Sequence, residues 1–425
     1  MKKRKTSLMV TLLLIMCMFL GACGNKTQTT PEEKKATDSS TEKASEQTND
    51  EETIKIAFIY PLSGGSAESG NMCLDAANLA VKNINDAGGI KALGGKKLEL
   101  VVFDGTSDPA QSKNVAERAL SDKDIVAAVG SGSSALTLPM LPAFEKNQVP
   151  LLTFSNSVDI TNQGYQYVFS ITNRGTQLGE YNIEFLDYLN NDLGYSYKKV
   201  AIIYENSANG INMADGARKS AQNMGLEIVF DESYQAGNAD FAPMITAIKN
   251  SGAEVVMPYG YMQEQKLIFS AMRDIDFYPL VMGNSNWPSF YEALGDATNG
   301  VVTVGNWNWN TKLVQENEEY TKIVNQFEET YGYFMTEQSG PTYDAVKIIA
   351  NALEICGKAD AVELRNTISS NKFDGMQLTG VYEFNEKGEN VNGVPAVSQW
   401  QYGKPVAVYP IEYAGSEYIA PDKFE

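Results

Sequence analysis

Serine and asparagine, set among glycines in short loops, are the residues of this 425-residue chain best suited to holding a small molecule. Three runs stand out: Pro61-Leu62-Ser63-Gly64-Gly65-Ser66, Gly130-Ser131-Gly132-Ser133-Ser134 and Phe154-Ser155-Asn156-Ser157. Each offers hydroxyls and closely spaced backbone N–H groups, with no charge before Asp159. Where such a run opens a helix it makes a cradle for a carboxylate or another small anion. Each serine also has a plainer use as a helix N-cap or turn former. Catalysis has less to draw on. The chain has no histidine, which removes Ser-His-Asp and Cys-His nucleophiles, His-bearing zinc sites and any side chain that titrates near neutrality unperturbed. Gly89 and Gly94 have Walker-like separation, but Gly95-Lys96-Lys97 follows where Lys-Ser or Lys-Thr is required, and Gly130-Ser131-Gly132 lacks the third glycine of a dinucleotide fingerprint. No segment has the acidic spacing of an EF-hand. The 53 acidic residues always offer carboxylate pairs, so a surface hydrolase stays open as a third reading; no cofactor and no metal site are expected.

The loops need elements to aim them. After residue 52 the chain alternates short β-rich runs, at 54–60, 98–103, 125–129, 200–204, 226–230, 255–258 and 280–282, with stretches of helical period at 72–87, 110–120, 135–146, 179–189, 216–224, 241–249 and 263–273. That alternation predicts an α/β fold of parallel sheets flanked by helices. The rhythm breaks near Asn173, so two βα lobes are expected rather than one long sheet. In open α/β sheets ligands sit at the carboxyl ends of strands, and the serine-rich runs follow the first, third and fourth β units.

The first residues belong to neither lobe. Lys2, Lys3, Arg4 and Lys5 precede an apolar run from Leu8 to Leu20, which reads as an export signal and is short for a bilayer span of about 20 residues. It ends in Leu20-Gly21-Ala22-Cys23, which resembles a bacterial lipobox with Cys23 as the lipidated residue. Residues 24–52 hold alanine as their only apolar type and cannot bury enough surface to order themselves. Such a coil separates its ends by roughly 30 Å on average and about 100 Å fully stretched, so it reads as a tether. Removing the leader's four cations takes the formal charge from −19 to −23, which disfavours nucleic acid and anionic lipid as partners. Cys73 and Cys356 remain in the body, expected as two separate buried thiols.

With those residues placed, the chain resembles the branched-chain amino-acid binding proteins, the extracellular solute receptors of ABC importers. The resemblance rests on Ile56-Ala57-Phe58-Ile59-Tyr60-Pro61-Leu62-Ser63-Gly64, on Asp75-Ala76-Ala77-Asn78-Leu79-Ala80-Val81 leading to Ile84-Asn85-Asp86-Ala87-Gly88-Gly89-Ile90, and on Leu98-Glu99-Leu100-Val101-Val102, Ser107-Asp108-Pro109 and Val149-Pro150. It covers nearly everything from residue 53 onward and weakens after 300. It implies the type I periplasmic binding fold, two Rossmann-like lobes with parallel sheets joined by three crossovers and closing by a hinge. The expected division is 1–22 leader, 23–52 tether, 53–172 with 307–380 as one lobe, and 173–306 with 381–425 as the other.

The same resemblance implies a carboxylate clamp from Ser134, Ser155 and Ser157, and a closing tyrosine, Tyr261, from the second lobe. The departures bear on the ligand. The family places an acid after the strand ending in glycine, to pair with an ammonium; here that segment is Gly283-Asn284-Ser285-Asn286-Trp287. Ser69 and Asn209 stand where the family has aromatics. An ammonium buried without a counter-charge costs several kcal/mol, so Asn156, Asn209, Asn284 and Asn286, with Ser285, point to a neutral polar ligand or a carboxylate without an amine. Asp159 or Glu205 would have to supply the charge from another direction, and Trp287, Trp307 or Trp309 an apolar wall. The implied function is lipid-anchored capture of an amino-acid-like or small carboxylate or amide ligand for an ABC permease, by a monomer at the outer face of the cell membrane. The alternative is a sensory subunit presenting a small molecule to a membrane receptor.

Overall fold

The computed structural model describes residues 53–424; the leader, Cys23 and the tether lie outside the described residues. Five strands form an all-parallel sheet: β1 (Ile54–Tyr60), β2 (Leu98–Asp104), β3 (Ile125–Gly130), β4 (Leu151–Thr153) and β5 (Val168–Ser170), in the order β2-β1-β3-β4-β5. In the middle of this sheet β1 is buried at every position but Lys55, which is why it reads as an unbroken apolar run rather than an alternating one. A second sheet opens with β6 (Lys199–Glu205), β7 (Glu227–Tyr234), β8 (Val255–Tyr259), β9 (Leu280–Gly283) and β10 (Val302–Gly305). A separate ribbon pairs β11 (Lys372–Asp374) with β12 (Val381–Glu383), and the hairpin β13 (Ala396–Gln401) and β14 (Lys404–Tyr409) completes the second sheet in the order β14-β13-β10-β9-β8-β6-β7. The hairpin joins β10 antiparallel, so this sheet is mixed, not purely parallel. Its two-residue turn, Tyr402-Gly403, has positive φ at both positions (49° and 94°), the backbone that tight hairpins require.

Helices cover the sheets. They are α1 (Ala67–Asp86), α2 (Pro109–Ala119), α3 (Ser134–Thr137), α4 (Leu141–Asn147), α5 (Gly175–Asn191), α6 (Ala208–Asn223), α7 (Ala242–Ser251), α8 (Met262–Asp274), α9 (Pro288–Leu294), α10 (Lys312–Glu316), α11 (Glu318–Tyr331), α12 (Ser339–Cys356) and α13 (Ala361–Ser370). The helix expected over 135–146 is broken in two around Pro139 and Pro142, because proline cannot donate to the helical ladder. Asp108 caps α2, its carboxylate accepting the Ala110 N–H at 2.9 Å with Pro109 in the first turn.

Two layered cores result. One gathers β1, β3, α1 and α12 and continues through Tyr382 and Phe384; the other gathers α5, α6, β6, β8 and β14. The chain crosses between them after β5, after β10 and again at the start of β13, later than residue 381: Tyr382 on β12, Phe384 just after it and Ala396 lie in the first core, and Val397 lies in the second. Cys73 is buried and Cys356 only half-buried, both as free thiols. Burial pushes Cys73 up to about 12, so it is an inert thiol at neutral pH. No helix among the described residues is long and apolar enough to cross a membrane.

One buried acid in the first core has a measurable consequence. Asp344, on α12, is 1% exposed; its Oδ2 accepts the Met376 N–H (2.7 Å) and the Tyr382 hydroxyl (3.0 Å), while Oδ1 has no partner. Burial pushes the carboxyl up to about 7, against the lowering effects of the Lys347 charge and those two donors. An acid with a raised pKa holds its proton more tightly when folded, so its contribution is full below the unfolded value of about 4 and is lost as pH rises through about 7. Asp344→Asn keeps an oxygen for both donors and removes the charge. The variant should melt above wild type at pH 8, by about 2–4 °C per kcal/mol recovered, and lose that advantage at pH 5. Equal destabilisation at both pH values in differential scanning calorimetry would assign the effect to lost packing.

Candidate functional site

Each sheet has a point where the chain reverses the direction in which it adds strands, and the loops there splay apart to leave a crevice. In the first sheet it lies between β1 and β3, in the second between β6 and β8. The loops leaving β1 and β3 are the first two serine-rich runs, and the loop leaving β8 carries Tyr261. Glycine is required twice in placing them: a Cβ on Gly130 would stand 2.2 Å from the Ile59 carbonyl oxygen, and one on Gly70 1.8 Å from that of Pro61. These close approaches press the β3 exit onto β1 and the first turn of α1 onto the β1 loop.

The crevices meet in a cavity of about 30 Å³ lined by Ser66, Glu68, Ser69, Ser133 and Gln338 from the first lobe and Tyr261, Met262 and Trp287 from the second. Away from the cavity the lobes are joined by the Lys404–Glu328 ion pair (2.6 Å) and by Phe334, which packs with Trp400 in a core of the second lobe; around the cavity three contacts stand out. Ser133 Oγ and the Tyr261 hydroxyl lie 3.1 Å apart, the Val158 N–H donates to Asn212 Oδ1 on α6 at 2.9 Å, and Met72 packs with Met262 and Trp287.

Of the seven side chains singled out from sequence, Tyr261 lines this cavity and the other six do not. Ser134, Ser155 and Ser157 are brought together, but their hydroxyls are engaged with one another's neighbourhood. Ser134 Oγ accepts the Ser157 N–H (3.1 Å); Ser155 Oγ donates to the Ser131 carbonyl (3.0 Å) and meets Thr137 Oγ1 (2.7 Å); Ser157 Oγ accepts the Asp159 N–H (3.2 Å). Asn156 and Ser157 instead face a second cavity, of about 210 Å³, at the first and third crossovers beside Asn173, Arg174 and Glu389. Ser285 Oγ donates to Gln265 Oε1 (3.1 Å), and Asn286 Nδ2 to the Val304 carbonyl (3.2 Å). Asn284 is spent on the Gly260 backbone, accepting its N–H at 3.2 Å and donating to its carbonyl at 2.9 Å.

The charges fall differently from expectation. Asp159 is exposed. Glu205 is buried at the end of β6, pushed up to about 7 by burial and by the nearby Glu264 charge, against hydrogen bonds from Ser207 and the Tyr261 backbone. Glu337 is likewise pushed up to about 7 by burial, opposed by Asn306. On the cavity wall the carboxylate is Glu68, half-buried and unremarkable in the sequence. Trp307 and Trp309 are not walls: the first is sunk in the first core and the second packs against both cores, with Lys404 over its ring at 5.1 Å. Gln338 was missed for a physical reason. It comes from the loop opening α12, about 200 residues beyond the serine runs, where the only local signal is the hydroxyl pair Thr336 and Ser339 that closes the turn, Thr336 Oγ1 accepting the Ser339 N–H at 3.2 Å.

A sequence profile described as periplasmic binding protein matches residues 53–404. The chain belongs to the periplasmic binding protein family. This periplasmic binding protein is 27% identical over 359 residues, 82% of its length and 90% of the relative's, to the leucine-, isoleucine-, valine-, threonine- and alanine-binding protein of Pseudomonas aeruginosa. Its fold is shared with a branched-chain amino acid transporter substrate binding protein from Streptococcus pneumoniae solved in complex with isoleucine (TM-score 0.74, 24% identity, 83% of this chain and 98% of that one). It is shared also with a solute binding protein of an ABC transporter from R. palustris in complex with benzoate (TM-score 0.72, 18% identity, 87% and 98%).

The hydroxyl pair that joins Ser133 to Tyr261 across the cleft is testable. Tyr261→Phe removes the Ser133 contact, and a neutral hydrogen bond of about 0.5–1.5 kcal/mol shifts a two-state opening by about 2- to 12-fold. Single-molecule energy transfer between labels on the two lobes should show that gain in the open population with an unchanged melting temperature. An unchanged distribution would mean the hydroxyl pair does not hold the lobes.

Proposed function

We propose that this periplasmic binding protein is the lipid-anchored solute receptor of an ABC importer, taking an amino-acid-like or small carboxylate or amide ligand between its lobes and handing it to a membrane permease. The observation that carries the reading is the meeting of both sheets' switch points in one cavity, closed over by the Ser133–Tyr261 pair. A cavity of about 30 Å³ takes roughly one water, so a solute the size of an amino acid enters as the lobes part and is enclosed as they return. The lobes are 53–172 with 307 to about 396, and 173–306 with the remainder. The relative's named ligands support an amino-acid class, and the benzoate complex supports a carboxylate without an amine as a ligand of the same fold. Residues 1–22 direct export, Cys23 carries the lipid, and 24–52 tether a monomer to the outer face of the membrane.

Leucine, isoleucine and valine are poor ligands on this reading. Asn284 stands where an acid would pair with the ammonium, and its amide is already committed to Gly260. Glu68 lies on a cavity that the serine cluster does not line, so it is not set to pair an amine beside a carboxylate held by those serines. Calorimetric titration should give no better than about millimolar dissociation constants for the three. Micromolar binding of any of them would locate the missing counter-charge.

The anchor has its own test. Cys23→Ala should abolish incorporation of a labelled fatty acid into the protein with its fold and solute binding intact; incorporation that persists in the variant would refute lipidation at that residue.

A further inference from the structure

Four tryptophans occur in the chain, and three of their indole N–H groups are paired. Trp307 Nε1 donates to the Met376 carbonyl (2.6 Å), Trp309 Nε1 to that of Pro405 (2.9 Å) and Trp400 Nε1 to that of Ser285 (2.7 Å). Trp287 is the exception. It is 3% exposed, it lines the cleft cavity, and its Nε1 has no acceptor among the described residues. Leaving a buried donor unpaired costs about 1–3 kcal/mol, and the apolar contacts with Met72 and Met262 would be served as well by phenylalanine. The backbone that carries the ring is also restricted: Pro288 follows and opens α9, holding Trp287 in extended backbone (φ −109°, ψ 143°).

The rest of the cavity wall narrows what a ligand there would offer the donor. Gln338 Oε1 accepts from Ser69 Oγ and lies 3.9 Å from Cys73 Sγ, so a donor is what the other end of that amide offers. Glu68 is the carboxylate on the same wall, and it repels a second anion there. Two donors and one negative charge together favour an acceptor that is itself uncharged.

We infer that Trp287, with Gln338 on the same cavity, recognises an uncharged hydrogen-bond acceptor, an amide carbonyl or a hydroxyl, at the end of the ligand remote from its carboxylate. The inference rests on the receptor reading and names its ligand class. It separates molecules of equal shape: a terminal amide satisfies the indole, an isopropyl group leaves it bare, and a carboxylate meets Glu68.

The test uses matched sets, with and without an α-amine. One is L-asparagine, L-leucine and L-aspartate; the other is succinamate, 4-methylpentanoate and succinate. In calorimetric titrations the amide member of a set should bind about tenfold or more tighter than its two partners, and Trp287→Phe should collapse that ratio toward one. In nitrogen-15 spectra of the protein, the indole signal that disappears in Trp287→Phe should shift downfield with the amide ligand. Gln338→Met gives a second variant, expected to lower the same ratio, should Trp287→Phe fail to fold. Equal or tighter binding of leucine or 4-methylpentanoate, or a ratio that survives both substitutions, overturns the inference while leaving the receptor reading standing. Silence of all six compounds overturns the inference, and the receptor reading falls with it only when a wider set of amino acids, amides and carboxylates, benzoate among them, also gives no saturable binding.

Discussion

Asn306 holds the junction on which the two-lobed arrangement depends. It lies in the second crossover, 5% exposed; its Oδ1 accepts the N–H of Asn173 in the first crossover (2.8 Å), and its own N–H donates to the Glu337 carboxylate beside the start of α12 (2.9 Å). Buried polar groups of this kind must be paired, so the two crossovers and the α12 loop cannot move independently without exposing or orphaning one of them. The third crossover is tied in through Glu389, which receives Arg174 at 2.7 Å and Thr161 at 3.0 Å. A rotation of one lobe against the other must therefore pivot near these asparagines, while opening the cleft breaks the Ser133–Tyr261 pair, the Val158–Asn212 hydrogen bond and the packing of Met72 on Met262 and Trp287.

That asymmetry explains which parts could be read in the sequence. β1, β3, β6 and β8 are buried on both faces, so they announce themselves as apolar runs bounded by serine- and glycine-rich loops. β4 and β5 have three residues each, too few for a run or a period to register. Two prolines, not the apolar pattern, decide where α3 ends and α4 begins. Tyr261 was legible because it follows directly on β8. Gln338 and Glu68 were not: one reaches the cavity only through the tertiary pairing of α12 with α1, and the other looks like any acid in a helix's first turn.

The serine cluster shows the same limit from another side. Residue type and position brought Ser134, Ser155 and Ser157 into one neighbourhood, but whether a hydroxyl or N–H is available is a property of the folded network. Here Ser134 Oγ takes the Ser157 N–H, the kind of donor a ligand carboxylate would seek. Exchanging that neutral bond for one to an anion is favourable, because charge-assisted hydrogen bonds are roughly twice as strong.

Closure then has a physical driver on the receptor reading. A ligand shifts the balance between open and closed only through contacts that differ between the two, chiefly those it makes with both lobes at once. A carboxylate at the serine cluster touches the first lobe; an acceptor reaching Trp287 touches the second. A molecule with only the first group would bind without favouring closure, whereas one with both would pull Trp287 and the α12 loop together. The bare indole N–H thus links specificity to the conformational change, since the group that selects the ligand is also one of the few that gains a partner when the lobes meet.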